Sequence, residues 1–560
     1  MQIVIPMSGF GERFREVGYK VPKPLIEIEG KPIVAHVIDM FPGETDFIFI
    51  CNQDHLDEPE YKMEQILKEH CPTGKVVGIA PHKLGPVHAV LQVQDLIDES
   101  RPIIVNYCDF TCFWNWEHFK RFVKETACVG AIPAYKGFHP HTLGTTNYAY
   151  MREFEGKVLD IQEKQPYTDN RMEEYASSGT YYFNSGENML STFKATVEQN
   201  INIGGEFYVS LTYKAMLDNN LPIAVYDLQH FMQWGTPQDV AEYNSWSEAF
   251  HGLINDDLSI RTDNTNGAVI IPMAGLGMRF ANEGYTDTKP LIPVSGEAMV
   301  LQAAHCLPSA KEYVFVLRKD MEGYQQISEL LRQQFDNVVI KALDKVTDGQ
   351  ATTARIGLDS LLDNREEKVE GPITFGACDF GSLYSKDKLH RMMDDNDTDI
   401  IVWGVRGNAN AVKNPQMFGW IDEVAGVINN ISVKVPLEHP ETDPIVLGTF
   451  TFRNAEVFYA AIERMYERKG KVNGEYYLDT LINDAIALGM NCHLFEVDSY
   501  LSWGTPNDLR TFEYWQSCFA KWPSHAYDLE NDLFISPDKV RPLQKKYQAT
   551  KPAVPQSFYD

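Results

Sequence analysis

The chain carries one segment twice. Residues 5–26 read IPMSGFGERFREVGYKVPKPLI and residues 271–292 read IPMAGLGMRFANEGYTDTKPLI, and 13 of these 22 positions are identical without a gap. The shared residues include Gly9, Gly11, Arg13, Lys23 and Pro24, matched by Gly275, Gly277, Arg279, Lys289 and Pro290. Later segments match too. Residues 205–208 (GEFY) pair with 474–477 (GEYY), and WGTP occurs at 234–237 and again at 503–506. The offset stays between 264 and 270 residues, so the two copies are nearly equal in length. A single core stops growing near ~250–300 residues, and this chain has 560. The repeat therefore predicts two domains, 1–250 and 268–522. A polar connector is expected over 251–267. A tail over 523–560, rich in Pro, Lys, Asp and Gln, is expected to pack on the surface or stay partly disordered.

Each copy alternates short apolar runs with helical patterns. Residues 2–5, 47–51 and 103–106 read as strands in the first copy, and 268–271, 313–317 and 373–376 in the second. Helical periodicity lies between them, as at 64–70 and 327–335. Short, fully apolar strands separated by helices predict an α/β fold: in each copy a Rossmann-like, mostly parallel mixed sheet flanked by helices.

Composition narrows the function. Net charge is −28, which opposes binding to nucleic acid or to an anionic membrane surface. No apolar run reaches the ~18–20 residues of a membrane span, and the first residues, MQIVIPMSG, lack the basic and hydrophobic regions of a signal peptide. Nine cysteines are scattered without a CxxC pair, and Cys108 and Cys112, four apart, are poor evidence for zinc. Reduced, mostly buried thiols and a cytoplasmic location are expected. Whether the chain forms a homo-oligomer is left open.

The glycine turn carries the first chemistry. Gly9-x-Gly11-x-Arg13 follows a strand and is expected to open a helix. Glycine lets backbone N–H groups approach phosphate oxygens, and a helix N-terminus adds positive potential. Phe14 and Phe280 replace the third glycine of a dinucleotide fingerprint, and the GK[ST] of a P-loop is absent. GxGxR followed by KPL resembles the sugar-phosphate nucleotidyltransferases, the NDP-sugar pyrophosphorylase-like enzymes, over nearly all of both copies. The wording IPMAGxGxRF…GY…KPLI is similar to members found with capsule and surface-polysaccharide synthesis, some of which resemble cytidylyltransferases.

That resemblance implies a GT-A-like domain in each copy and the following roles. Met7, Ser8, Gly9, Gly11 and Gly85 hold the nucleotide in the first copy; Met273, Ala274, Gly275, Gly277, Gly349 and Gln350 do so in the second. Arg13, Lys23, Arg279 and Lys289 neutralise triphosphate. Asp109 and Asp379 hold Mg²⁺, the implied cofactor. Glu163 with Gly179, and Gly448 in the second copy, contact the acceptor, whose phosphate meets Lys164 or Lys434. The implied partners are an NTP (CTP, UTP, GTP or dTTP) and a phosphorylated small molecule.

The copies differ where they would read substrates. Gly349-Gln350-Ala351 offers an amide to a base, whereas Gly85-Pro86-Val87 offers none. Glu163-Lys164 keeps a carboxylate that Val433-Lys434 lacks, so the second copy is expected to miss one polar contact to the acceptor. Gln233 and Ser502 stand where relatives place a second metal-binding Asp, which leaves that ligand in doubt; Asp227 and Glu496 are weak substitutes. Asp239 and Asp508, three residues after Thr236 and Thr505, read as capping-box residues. His139 and His141, with Pro140 between them, read as part of a substrate-side loop. Two other readings stay open: one or both copies bind nucleotide without catalysis, or the chain is a GT-A glycosyltransferase. Against the latter, Asp109-Phe110-Thr111 and Asp379-Phe380-Gly381 lack the second acid of an Asp-x-Asp metal motif.

Overall fold

The computed structural model describes residues 1–144, 147–255, 265–363 and 369–559. Of the expected connector, residues 256–264 lie outside the described residues. The chain divides into two compact units. One comprises Met1–Asn244, Lys521–His525 and Gln548–Asp560; the other comprises Ser245–Ala520 and Ala526–Tyr547.

The first unit is built on a ten-stranded sheet. Strands Lys75–Ile79, Asp46–Asn52, Gln2–Met7 and Ile103–Asn106 lie side by side and parallel, with Gln2 opposite both Asp46 and Ile103. Ile3, Val4, Ile5, Phe49, Ile50 and Ile104 have no solvent exposure, as expected of strands covered on both faces. Thr180–Phe183 then runs antiparallel between Ile103–Asn106 and Gly130–Tyr135. Ile223–Asp227, parallel to Gly130–Tyr135, and the hairpin Ala149–Phe154/Lys157–Glu163 continue the sheet, which ends on Tyr175–Ser177.

The second unit repeats that order. Val338–Leu343, Ala310–Arg318, Thr265–Pro272 and Ile373–Phe375 form its parallel part. Ile445–Phe452 is the antiparallel strand, followed by Ile400–Val405, Cys492–Glu496, Val427–Val433 and Gly419–Val424. The sheet has nine strands because Ile445–Phe452 runs unbroken where the first unit has Tyr175–Ser177 and Thr180–Phe183. The helices sought at 64–70 and 327–335 are Met63–His70 and Tyr324–Gln334.

Residues 523–560 are shared between the units. In the first, Pro555 lies against Gly156, and the Lys157 ammonium donates to the Ser557 carbonyl. In the second, Gln516 Nε2 donates to Tyr527 Oη at 3.0 Å, Tyr547 Oη donates to Gln516 Oε1 at 2.8 Å, and Tyr527 Oη donates to Asp532 at 2.6 Å. All nine cysteines are free; eight are buried and Cys378 is partly so. Among the described residues no helix is long and apolar enough to cross a membrane.

Candidate functional site

Parallel neighbours end at the same sheet edge, so the loops after Gln2–Met7 and Ile103–Asn106 emerge together, where α/β folds hold ligands. The first is the glycine turn. Gly11 takes φ +65° and opens helix Glu12–Glu16; Gly277 takes the same φ and opens Met278–Asn282. Left-handed backbone is costly for residues with a Cβ, which accounts for both glycines. Gly9 and Gly275 have no atom within 4 Å of where a Cβ would stand, and both are exposed. Met7, Ser8, Met273 and Ala274 are buried beneath the loops.

The second loop carries the acid. Lys23 Nζ lies 2.8 Å from Asp109 Oδ2, and Lys289 Nζ lies 2.6 Å from Asp379 Oδ2. About a quarter of each side chain is exposed: 25% and 27% in the first pair, 21% and 27% in the second. Burial works against the charge on Lys23, but the Asp109 carboxylate outweighs it and holds the lysine above its ordinary pKa; Arg13 opposes from nearby. Lys289 behaves in the same way with Asp379 and Arg279. Arg13 and Arg279 are exposed. Each half thus gathers an arginine, a lysine and a carboxylate beside its glycine turn.

WGTP locks the acid's backbone. The short ladder His230–Gln233/Phe110–Phe113 brings Trp234 N to within 2.7 Å of the Asp109 carbonyl; Ser499–Ser502/Phe380–Leu383 brings Trp503 N to 2.9 Å from that of Asp379. Both indoles are buried. A Cβ at Gly235 or Gly504 would come within 3.2 Å of the carboxylate, so glycine keeps that flank open. Thr505 and Asp508 form the expected capping box at helix Pro506–Phe519, and Thr236 and Asp239 exchange the same bonds. Burial raises Asp239 to about 6. Gln233 donates to Asp239 and Ser502 bonds Asp508, so both residues at the doubtful second-metal positions support the cap. Thr505→Ala is expected to cost the second unit about 1 kcal/mol in chemical denaturation.

The segment expected to read the base meets the GEFY or GEYY segment through its glycine. A Cβ on Gly85 (φ +86°) would stand 2.7 Å from the Phe207 N, and one on Gly349 (φ +142°) 2.4 Å from the Tyr476 N. Pro86 and Gln350 open the following helices, Pro86–Leu91 and Gln350–Leu362.

Of the residues expected to meet the acceptor, Lys164 and Lys434 close their hairpins in the same left-handed conformation, φ +61° and +64°. Lys164 Nζ donates to Tyr208 Oη at 2.6 Å; Lys434 Nζ donates instead to the Met417 carbonyl at 3.0 Å. Glu163 accepts from Ser210 Oγ at 2.5 Å; burial raises its pKa, opposed by Ser210 and Lys164. Gly179 and Gly448 take φ +99° and +85°, and the nearest atom to a Cβ on either is on the ring of Phe110 or Phe380, next to the acids. His139 and His141 pack on Tyr135, at ring distances of 4.5 and 5.0 Å, and burial pushes His139 down to about 4.

Sequence reading passed over one residue. Val433 does replace Glu163, but the position matching Ser210 in the second half is Asp479 (GEFYVS against GEYYLD). Burial raises Asp479 to about 6 against the pull of Lys434. The signal was present in the alignment: a carboxylate lost at one position and gained at another.

Comparison with known proteins places these features beside one family. The nucleotidyl transferase family model matches residues 3–224. The mannose-1-phosphate guanylyltransferase catalytic subunit beta of Dictyostelium discoideum is 28% identical over 193 residues, 33% of this chain and 50% of that protein. Mannose-1-phosphate guanyltransferase 2 of Candida glabrata is 23% identical over 290 residues, 49% of this chain and 72% of that one. The chain spans about half the length of most of the curated relatives it matches first. Among solved structures, the nucleoside-diphosphate-sugar pyrophosphorylase of Vibrio cholerae is 21% identical, with a TM-score of 0.35, covering 43% of this chain and 99% of that one. Residues 3–224 thus match the nucleotidyl transferase family model, and they lie on an α/β fold whose strand order the second half repeats.

Proposed function

We propose that both halves, related by tandem duplication, are cytoplasmic nucleotidyltransferases that join an NTP to a phosphorylated acceptor and release pyrophosphate. The product would be an activated precursor for surface polysaccharide. The observation that carries this reading is the lysine–aspartate pair beneath a glycine turn, present in both halves at 2.8 and 2.6 Å.

An acceptor phosphate oxygen attacks the α-phosphorus in line. A new P–O bond forms, the bond to the β-phosphate bridging oxygen breaks, and pyrophosphate leaves. The acceptor phosphate is an anion at neutral pH, so no general base is required. The obstacle is repulsion between anions, which positioned cations and N–H groups relieve. Arg13 and Lys23, with Arg279 and Lys289, serve the triphosphate; Lys164 and Lys434 serve the acceptor phosphate. Gln350 offers its amide to the base, while the first half, with Pro86, must use other groups. The open flank beside Asp109 and Asp379 and their hard oxygens fit Mg²⁺. These two acids would hold the ion, which supplies charge neutralisation to the phosphates. The missing second acid at Thr111 and Gly381 weighs against a glycosyltransferase.

A thermal-shift panel of CTP, UTP, GTP and dTTP with Mg²⁺ tests nucleotide binding. The preferred base at 100 times its Kd should stabilise its half by about 2.7 kcal/mol. Pyrophosphate release with phosphorylated acceptors tests the chemistry. Binding without release would leave a nucleotide-binding protein, and neither would discard the reading.

A further inference from the structure

We propose that Asp479 is the acceptor-reading carboxylate of the second half, moved from the strand to the facing helix, so that this half selects a phosphorylated acceptor with a hydroxyl placed differently from the one Glu163 reads. The inference rests on the nucleotidyl-transfer reading of this half.

Three exchanges at one contact carry it. In the first half the strand residue Glu163 lies opposite Ala149 in the hairpin ladder and accepts from Ser210 on helix Val209–Asp218. The second half has Val433 opposite Gly419, and Asp479 on helix Leu478–Ala487. Glutamate has become valine, serine has become aspartate, and alanine has become glycine. The last change explains how the second fits. A Cβ on Gly419 would stand 2.5 Å from Asp479 Oδ2, closer than atoms approach, so the glycine makes the space that the carboxylate occupies. The Asp479 carboxylate therefore lies against the Gly419–Val433 rung, the counterpart of the Ala149–Glu163 rung where Glu163 begins.

Charge points the same way. Lys434 is the neighbouring cation that favours the ionised form of Asp479, as Lys164 does for Glu163. Each half thus sets one carboxylate within the field of the lysine that closes its hairpin. An ionised carboxylate only accepts hydrogen bonds, so its natural partner is a donor such as an acceptor hydroxyl. Aspartate on a helix and glutamate on a strand approach a bound acceptor from different sides. Different hydroxyl patterns are the expected result.

The test uses the full chain carrying Lys23→Ala, which confines turnover to the second half. Pyrophosphate release is followed with each NTP and mannose 1-phosphate, glucose 1-phosphate or inositol 1-phosphate. Asp479→Asn should raise the acceptor KM about 10–100-fold and leave the NTP KM within about twofold. The triple exchange Gly419→Ala/Val433→Glu/Asp479→Ser should recover turnover and prefer the acceptor that the first half uses. A purely structural Asp479 would instead lower the unfolding temperature with no split between the two KM values. An unchanged acceptor KM in a folded Asp479→Asn protein overturns the inference and leaves nucleotidyl transfer standing. Absence of turnover before Asp479 is touched overturns the activity of this half. The thermal shift given by the same sugar phosphates then decides: a shift lost in Asp479→Asn supports the acceptor role, and an equal shift or none overturns it.

Discussion

Lys23→Ala and Lys289→Ala each lower pyrophosphate release by their own half about 10²–10³-fold, and the double variant lowers the total release by the same factor. Each ammonium sits 2.6–2.8 Å from the acid proposed to hold the metal, on a lysine side chain about a quarter exposed. In that partly desolvated site one positioned cation opposite developing phosphate charge is worth far more than on an open surface. The lysine is held in place as well as charged. The Asp109 carboxylate keeps Lys23 protonated, and Lys289 Nζ is tied to both Asp379 and the Gly504 carbonyl at 3.1 Å. Arginine is a poor replacement, because its planar fork cannot reproduce a point charge packed against one oxygen. Lys23→Arg and Lys289→Arg should therefore recover little activity. Circular dichroism separates this effect from misfolding. The single variants also report whether both halves work. If one of them keeps wild-type turnover for every substrate pair, that half is a nucleotide-binding domain and no enzyme. If the double variant keeps full turnover, the site lies elsewhere.

Much of this was legible in the residues. Apolar runs such as 3–5 and 268–271 marked the central strands, because strands buried on both faces are apolar along most of their length. The glycine turns were legible because left-handed φ at Gly11 and Gly277 leaves few other choices. Thr505 and Asp508 announced their cap for a similarly local reason. What stayed hidden depends on contacts distant in sequence. The pairing of Lys23 with Asp109 spans 86 residues, and the shelter of the Asp109 backbone by Trp234 crosses still more chain. The exchange of Glu163 for Asp479 was hidden because it combines a hairpin with a helix. Residue-by-residue comparison recorded Val433 as a loss and had no reason to connect it with Gly419. The tail from 523 onward read as surface-packed or partly disordered because its buried groups are spaced along a polar stretch: Tyr527 and Tyr547 meet Gln516, and Tyr527 meets Asp532, only in three dimensions.

Gly349→Ala and Gly85→Ala should destabilise their halves by about 2–5 kcal/mol, a large share of the 5–15 kcal/mol that holds a domain folded. By motif alone these glycines were assigned to the nucleotide. Their geometry assigns them a prior task. Phe207 N donates to the Leu84 carbonyl at 2.9 Å and Val87 N to the Phe207 carbonyl at 3.2 Å, while Tyr476 N and Ala351 N make the matching bonds at 2.9 and 3.0 Å. The glycine lies at the centre of that crossing, and an added methyl meets backbone on the far side, which has no rotamer by which to move away. Gly349 is the tighter of the two, at 2.4 Å from both the nitrogen and the oxygen of Tyr476, so its variant should suffer more. The displaced segment leads into Ser210 or Asp479, so acceptor KM should rise together with the loss of stability. Gly9→Ala and Gly275→Ala supply the contrast. Open space surrounds both positions, so each should keep its denaturation midpoint while nucleotide affinity falls. A Gly349→Ala protein that unfolds at the wild-type midpoint would show that the crossing does not constrain the fold. A Gly9→Ala protein with unaltered nucleotide affinity would show that the backbone of the glycine turn does not approach the phosphates.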